Sequence, residues 1–277
     1  MKRYRIFSYD FDFRINSINH IEKAYEKNPS TKLKQEYKSL IAELMLQYGN
    51  YRFRNKLQNL KDIGAKNLSI LLYHNNFIEQ IRDSFINENY YPALTSSCAL
   101  GERILNHLII DLRESYKENP EYEKVKDQKS FSNWKLMIEV LSNWDILLPE
   151  VIDNFKKLET LRHKSIHFNQ KLVSNLRQYA LDSLNYIQKI VSSQFSAFGN
   201  EPWFITSVPG EIYLKHDWLE KPFIKKYYIP NSILVGYRYK ILNLSPVKVD
   251  DNFKYEDTFI TDEEFAKYRK EYLKNAR

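Results

Sequence analysis

The sequence contains little cysteine and no long apolar run. Its single cysteine, Cys98, excludes an internal disulfide, and without a second cysteine no cysteine pair points to a zinc site. The apolar runs are too short to span a bilayer, so we expect no membrane partner. The opening MKRYRIFSYDFDFR breaks each apolar group with a charge, which a secretory signal does not do, so we expect a cytoplasmic protein.

The charge of the chain is basic and unevenly distributed. The 277 residues carry a formal net charge of +7, and residues 1–70 contain 14 Lys and Arg against 7 Asp and Glu, which accounts for the whole excess. There the segment NYRFRNK alternates cations with aromatic rings, which predicts an RNA-binding surface because cations neutralise phosphates and rings stack on bases. The candidate RNA-binding residues are Arg52, Arg54 and Lys56. A half-buried amphipathic segment with solvated charges explains the same pattern.

Hydrophobic spacing predicts a mainly α protein in three regions. A basic N-terminal extension, residues 1–70, begins with an alternating stretch typical of a short strand and continues into a helix. Residues 71–198 are predicted to form a helical bundle. The predicted helices cover residues 32–48, 67–85, 92–116, 133–141, 149–168 and 172–193.

The pattern changes after GNEP, residues 199–202, to give a predicted small α+β appendage over residues 199–277. The short aromatic or β-branched segments WFITS, EIYLK, FIKKYYI and SILVGYRYKI are separated by turn residues and predict a small sheet. The tail begins with a Thr261-x-x-Glu264 capping box, which predicts a final helix.

Gly101 stands inside an apolar helical stripe that extends from Leu94 to Leu112. A glycine within a helix costs about 1 kcal/mol relative to alanine. Its presence therefore predicts that another backbone approaches closely at this position.

The helix that opens at Pro149 places an arginine where its apolar stripe should continue. Steps of three and four residues along this helix lead to Arg162. An unpaired buried guanidinium costs several kcal/mol, so Arg162 needs an anionic partner. The candidate carboxylates are Glu102 and Asp111, and an RNA phosphate is the third candidate.

His167 follows Arg162 by five residues. On an unbroken helix these two side chains would lie about 140° apart, so both can face one small ligand only near a helix end. The predicted boundary at residues 168–170 supplies such an end. An imidazole can move a proton near neutral pH while the guanidinium stabilises negative charge on a phosphorus centre, and this pair suits RNA cleavage without a metal or cofactor.

The segment RHKSIH, Arg162 to His167, resembles the R-x4-6-H motif of HEPN ribonucleases. The upstream segment YYPALTSSCALGERILNHLI also resembles the first long helix of that helical-bundle superfamily, and the resemblance covers roughly residues 77–193. It implies an HEPN-like bundle that forms a homodimer, with two motifs meeting across the interface. It also implies metal-independent endoribonuclease activity, in which a 2′-hydroxyl attacks and leaves a cyclic phosphate, in a toxin or antiviral defence role.

The resemblance assigns roles to individual residues. Arg162 and His167 would be catalytic, while His163, Lys164 and Asn169 would place the phosphate and Glu102 would support the arginine. HEPN toxins that are silenced by a partner nucleotidyltransferase usually carry a tyrosine at the position of Asn169, so this chain departs from that style of regulation. The sequence leaves open which other inhibitor or activator protein it has.

Two other interpretations fit these residues. An ion pair between Arg162 and Glu102 that is only structural would make the chain a catalytically inactive module that binds protein or RNA. His163 and His167 are spaced to share a metal ion, but Lys164 occupies the place of the glutamate in a zinc protease motif. Cys98 lies on the apolar stripe and is predicted to be a core residue and not a nucleophile.

Overall fold

The computed structural model describes residues 1–7, 14–66, 69–166, 170–244, 246–256 and 258–275. This part of the chain is mainly helical and carries a small antiparallel sheet. The α-helices are α1 (Arg14–Lys27), α2 (Thr31–Tyr48), α3 (Phe53–Ile63), α4 (Leu72–Ile86), α5 (Tyr90–Leu112), α6 (Trp134–Asn143), α7 (Pro149–Ile166), α8 (Gln170–Gln194) and α9 (Asp262–Asn275). The strands are β1 (Lys2–Ile6), β2 (Phe204–Ile205), β3 (Ile212–Leu214), β4 (Ser232–Gly236), β5 (Lys240–Leu244) and β6 (Val247–Asp250).

Several helices begin where a polar side chain caps the first turn. Ser30 accepts a hydrogen bond from the backbone N–H of Leu33 at 3.2 Å, and Asn133 caps α6 in the same way. The capping box predicted at the start of α9 is confirmed. Thr261 Oγ1 accepts from the N–H of Glu264 at 3.2 Å, and the Glu264 carboxylate accepts from the N–H of Thr261 at 2.8 Å.

The long helix α5 lies at the centre of the bundle, where it packs against α4, α6, α7 and α8. Gly101 allows the closest part of this packing. A Cβ atom there would lie 2.7 Å from Leu158 Cδ2 and 2.8 Å from Trp134 Cη2. The prediction that another backbone approaches Gly101 is wrong, because the close neighbours are two side chains.

The N-terminal strand lies inside the main sheet, whose order is β2-β3-β1-β4. β1 pairs antiparallel with β3 and β4, so that Arg5 lies opposite Tyr213 on one side and Ile233 on the other. The residues predicted as an N-terminal extension therefore share a sheet with those of the C-terminal appendage. β5 and β6 form a separate antiparallel hairpin.

The strand predicted for FIKKYYI is wrong. Residues Ile224–Tyr228 form a π-helical turn, in which Ile224, Tyr227 and Tyr228 are buried while the two lysines between them are exposed. Buried residues at spacings of three and four indicate a helix. The aromatic content of the segment, which is typical of a strand, led to the wrong prediction. Helices α1 and α3, which flank the predicted helix of the first 70 residues, were not among the predicted helices. In the described residues no helix is long and apolar enough to cross a membrane.

A buried ionic cluster around Glu211 joins the two ends of the chain. The Glu211 carboxylate accepts two hydrogen bonds from Arg269 at 2.8 Å each and one from Arg5 at 2.9 Å. The hydroxyls of Tyr213 and Tyr239 also donate to it. Burial alone would raise the pKa of Glu211, but the Arg269 hydrogen bonds and the charge of Arg5 lower it. The cluster thus connects β1, β3, the turn before β5, and α9.

Two titratable groups, one fully buried and one half-buried, lie near the bridge that joins Ser69 to Ser196. His74 is fully buried, and its Nδ1 lies 3.0 Å from Ser69 Oγ. Burial, with smaller contributions from His107 and Arg103, lowers its pKa from 6.5 to about 3. Burial raises the pKa of Glu201 from 4.5 to about 7, although hydrogen bonds from its own backbone and from Ser196 oppose the shift.

The free energy of unfolding is expected to respond to pH through His74 and Glu201 with opposite signs. His74 must lose its proton on folding, so its contribution is complete above pH 6.5 and declines on acidification by up to about 1.4 kcal/mol per pH unit. Glu201 favours its protonated form in the fold, so its contribution declines as the pH rises from 4.5 to about 7. We expect urea denaturation between pH 4.5 and 6.5 to give a free energy of unfolding that rises with pH in Glu201→Gln, which keeps His74. In His74→Leu, which keeps Glu201, the free energy of unfolding should fall with pH. Parallel pH profiles in the wild type and both variants would contradict the assignment.

Candidate active site

Arg162 lies near the C-terminal end of α7 and forms an ion pair with Glu102 of α5. Arg162 Nε is 2.8 Å from Glu102 Oε2, and the same oxygen accepts a hydrogen bond from Trp134 Nε1 at 3.0 Å. The guanidinium carbon also lies 5.9 Å from the centre of the Trp134 ring. Trp134 is buried, so it fixes the carboxylate, which in turn fixes the guanidinium. The side chains of Arg162 and Glu102 remain 21% and 29% exposed, so a ligand can reach the arginine.

Of the two predicted carboxylate partners, the structure pairs Arg162 with Glu102. Asp111 instead accepts a hydrogen bond from the Tyr227 hydroxyl at 3.0 Å and lies 3.5 Å from Lys226 Nζ. Asp111 follows Glu102 by nine positions and lies at the far end of α5, where the turn that contains Lys226 and Tyr227 packs.

Arg162 opens into a cleft of about 490 Å³, which we call the Arg162 cleft. Its floor is the solvent-facing side of α5 from Thr95 to Ile110, and its walls are Arg162 with Ser165 on one side and Lys129 with Ser130 on the other. The charged side chains that line it are Glu102, Arg103, Lys129 and Arg162. Three cations against one carboxylate make this cleft attractive to an anion.

Asn106 holds the wall formed by Lys129 and Ser130. Its side-chain amide donates to the carbonyl of Phe131 at 2.9 Å, and its carbonyl oxygen accepts from the N–H of Phe131 at 2.7 Å. Phe131 itself is buried. This paired contact fixes the backbone next to Ser130, so the wall of the cleft is part of the fold.

The other predicted phosphate-placing residues do not line the Arg162 cleft where the structure describes them. His163 is exposed, with its Nε2 atom 3.8 Å from Glu159 Oε1. Lys164 Nζ lies 5.1 Å from the centre of the Tyr179 ring, on the side of α7 that faces α8. His167 and Asn169 lie outside the described residues, so their placement stays a prediction.

Cys98 lies on the floor of the Arg162 cleft but is almost completely buried. Burial raises the pKa of its thiol to about 12, although the charge of Arg162 opposes the shift. The thiol is therefore protonated at neutral pH, and thiols react as thiolates. Its surroundings agree with the prediction of a core residue.

The basic turn before α3 lies beside the start of α5. Arg52 forms an ion pair with Glu88 at 2.9 Å, and Lys56 Nζ donates to the carbonyl of Tyr48. Arg54 is exposed. Of the two predicted stacking rings, Tyr51 is 80% exposed but Phe53 is buried and has no face available to a base. Of the predicted RNA-binding surface, Arg54 and Tyr51 are therefore exposed, while Arg52 is paired with Glu88 and Lys56 is bonded to the backbone.

The structure brings this turn and the end of α7 to the same end of the bundle. Glu88, the partner of Arg52, lies two residues before α5 begins. The Tyr91 hydroxyl, in the first turn of α5, lies 3.5 Å from the carbonyl oxygen of Ser165. The first turn of α5 therefore contacts α7 beside Arg162, and the predicted RNA-binding turn flanks that region.

His107 also lines the Arg162 cleft, although the sequence pattern gave no reason to select it. It lies one helical turn after Arg103 on α5, so the two share a face. Burial and, to a smaller extent, the nearby Arg103 lower the pKa of His107, while Asp111 opposes the shift. The spacing of Arg103 and His107 places both side chains on one face of a helix, but this spacing is too common to identify a functional residue without the structure.

No family model, curated protein or solved structure matches this chain. In the part of the chain that the structure describes, no group of three or more His, Cys, Asp and Glu side chains is arranged to hold a metal ion.

Proposed function

We propose that this protein is a metal-independent endoribonuclease of the HEPN type. In the proposed reaction, the 2′-hydroxyl of an RNA nucleotide attacks the adjacent phosphorus, and the bond to the 5′-oxygen breaks. The products are a 2′,3′-cyclic phosphate and a free 5′-hydroxyl. A toxin or antiviral defence role follows from the resemblance and belongs to the same proposal.

The observation that carries the proposal is the placement of Arg162. Its guanidinium is held by Glu102 at 2.8 Å, is partly exposed, and lies in an open cleft lined by two further cations. A fixed cation stabilises the negative charge that develops on phosphorus during attack. An RNA phosphate in this cleft would meet the guanidinium without requiring Glu102 to move.

His167 is assigned the proton transfer. In the sequence it comes directly after Ile166, the last described residue of α7, and the proposal places it near the helix end that carries Arg162. An imidazole can remove the proton of the 2′-hydroxyl or donate one to the leaving oxygen. His163 and Lys164 point to other sides of α7, so we assign them to backbone phosphates outside the Arg162 cleft.

The proposed active form is a homodimer. Cleavage requires a proton acceptor at the 2′-oxygen and a donor at the leaving oxygen, and one motif imidazole does not easily serve both atoms at once. Two-fold pairing of the segments around residues 161–168 would bring two His167 and two Arg162 side chains to one groove, and a two-fold contact is the commonest form of assembly. The turn with Arg52 would then lie near its mouth.

The experiment that tests the function is RNA cleavage by the purified protein in the presence of a metal chelator. We expect cleavage of single-stranded RNA, products that end in a cyclic phosphate, and no cleavage of the same strand with 2′-O-methyl groups. Specific activity should fall on dilution through the dimer dissociation range. Absence of cleavage, or equal cleavage of the methylated strand, would contradict the proposed ribonuclease activity. Full activity in a dilute monomer would contradict the proposal that the active form is a homodimer.

The second candidate function is a binding module without activity. The observation that favours it is the ion pair between Arg162 and Glu102, which by itself is what a structural arginine would form. It predicts RNA or protein binding without cleavage. The effect of removing Arg162 on stability separates the two candidates.

A further inference from the structure

The Arg162 cleft continues along α5 beyond Glu102. Glu102 and His107 are five residues apart, which corresponds to about 7.5 Å along the helix axis. This distance is comparable with the step between neighbouring phosphates in an extended RNA strand. A strand whose reacting phosphate meets Arg162 therefore extends over the part of the cleft that contains Arg103 and His107.

The cations in this part of the cleft are not committed to carboxylates. The interaction of Arg103 is with the ring of Phe77, whose centre lies 5.5 Å from its guanidinium carbon. Arg103 and Lys129 have no ion pair with any acidic side chain that the structure describes. Both are exposed, so their charges are available to a ligand.

His107 contributes a different chemistry. Its ring lies on the α5 floor of the cleft in an edge-to-face arrangement with Tyr73, whose ring centre is 5.9 Å away, and no described side chain forms a hydrogen bond with it. Because burial and Arg103 lower its pKa, the imidazole is neutral at pH 7 and has one donor and one acceptor nitrogen. A neutral ring of this kind can bind a base edge or a 2′-hydroxyl, which a phosphate-binding cation cannot do selectively.

We propose that Arg103, His107 and Lys129 form a second nucleotide subsite in the Arg162 cleft. Arg103 and Lys129 bind the phosphate next to the scissile one, and His107 contacts the sugar or base of that nucleotide. The wall that carries Lys129 is held in place by Asn106, so the subsite is formed before RNA binds. The ligand class, single-stranded RNA, rests on the function proposed above.

The test uses a fluorescein-labelled single strand with 2′-O-methyl groups at every position, so that binding is measured without cleavage. The full-length variants are Arg103→Gln, Lys129→Gln and His107→Asn, with Lys189→Gln as the matched control because Lys189 is exposed on α8 and does not line the cleft. We expect Arg103→Gln and Lys129→Gln each to weaken binding about fivefold to tenfold and to reduce the slope of log affinity against log salt by about 0.7. His107→Asn should weaken binding about threefold or more with an unchanged salt slope, since a neutral side chain releases no counterion.

The possible outcomes separate this inference from the proposed function. If the wild type does not cleave RNA but these variants weaken binding as expected, the subsite stands without the nuclease. If the wild type cleaves RNA and Arg103→Gln binds as Lys189→Gln does, the subsite is overturned and the nuclease stands. Equal loss of affinity for a polyglutamate peptide would also overturn it, because the cleft would then be an unspecific anion surface.

Discussion

RNA cleavage is expected to fall by about 10²- to 10³-fold when Arg162 is replaced with alanine, which is the usual effect of removing one fixed group that stabilises developing negative charge. His167→Ala should cause a loss of at least about 10²-fold, because general acid–base catalysis contributes about 10²- to 10⁴-fold. Both are measured as initial rates with a single-stranded RNA in a metal chelator. The matched controls are Lys156→Ala, on an exposed face of α7, and His20→Ala, which removes an exposed imidazole on α1.

The stability of the Arg162→Ala variant distinguishes a catalytic arginine from a structural one. Glu102 would keep its hydrogen bond from Trp134, and it is already partly exposed to solvent. We therefore expect the free energy of unfolding to fall by no more than about 1 kcal/mol, as for exposed ion pairs. A loss of about 3–5 kcal/mol, typical of a buried pair that has lost one partner, together with unchanged RNA binding would favour the structural module. Cleavage that survives in both Arg162→Ala and His167→Ala would refute the active-site assignment.

The largest loss of stability is expected at Glu211. Glu211→Ala would remove the carboxylate that Arg5 and Arg269, both almost completely buried, share. Removing one partner from a buried ion pair costs about 3–5 kcal/mol. Urea denaturation at neutral pH should show this loss, whereas Glu220→Ala, which removes a carboxylate paired with Lys225 at an exposed position, should cost no more than about 1 kcal/mol.

A triple replacement tests the cause of that loss. If uncompensated charge is responsible, combining Glu211→Leu with Arg5→Met and Arg269→Met should recover most of the stability, since apolar groups can replace a buried ion cluster at little net cost. If the triple variant is less stable than Glu211→Ala, the cluster acts through its geometry and the charge explanation fails. RNA cleavage by the folded triple variant should be unchanged, because none of these residues lines the Arg162 cleft.

The helices that carry the site could be predicted because their signals are local. The stripe through α5 and the opening of α7 at Pro149 each depend on residues within a few turns of one another. The same holds for the capping box that begins α9, outside the site. The need of Arg162 for an anionic partner could be predicted in the same way, since a cation on an apolar stripe is costly without one. Spacing along α5 could not decide between Glu102 and Asp111.

The sequence by itself therefore determined the mainly helical class, the order of the bundle helices and the position of Arg162 near a helix end. Only the tertiary structure decided that Arg162 pairs with Glu102, that His107 shares its cleft, and that β1 joins strands from the opposite end of the chain. The physical reason is that periodicity shows which face of a helix is buried, but not the neighbour against which it packs. That choice depends on how side chains such as Trp134 and Leu158 fit around Gly101, and such fits join residues that the sequence places far apart.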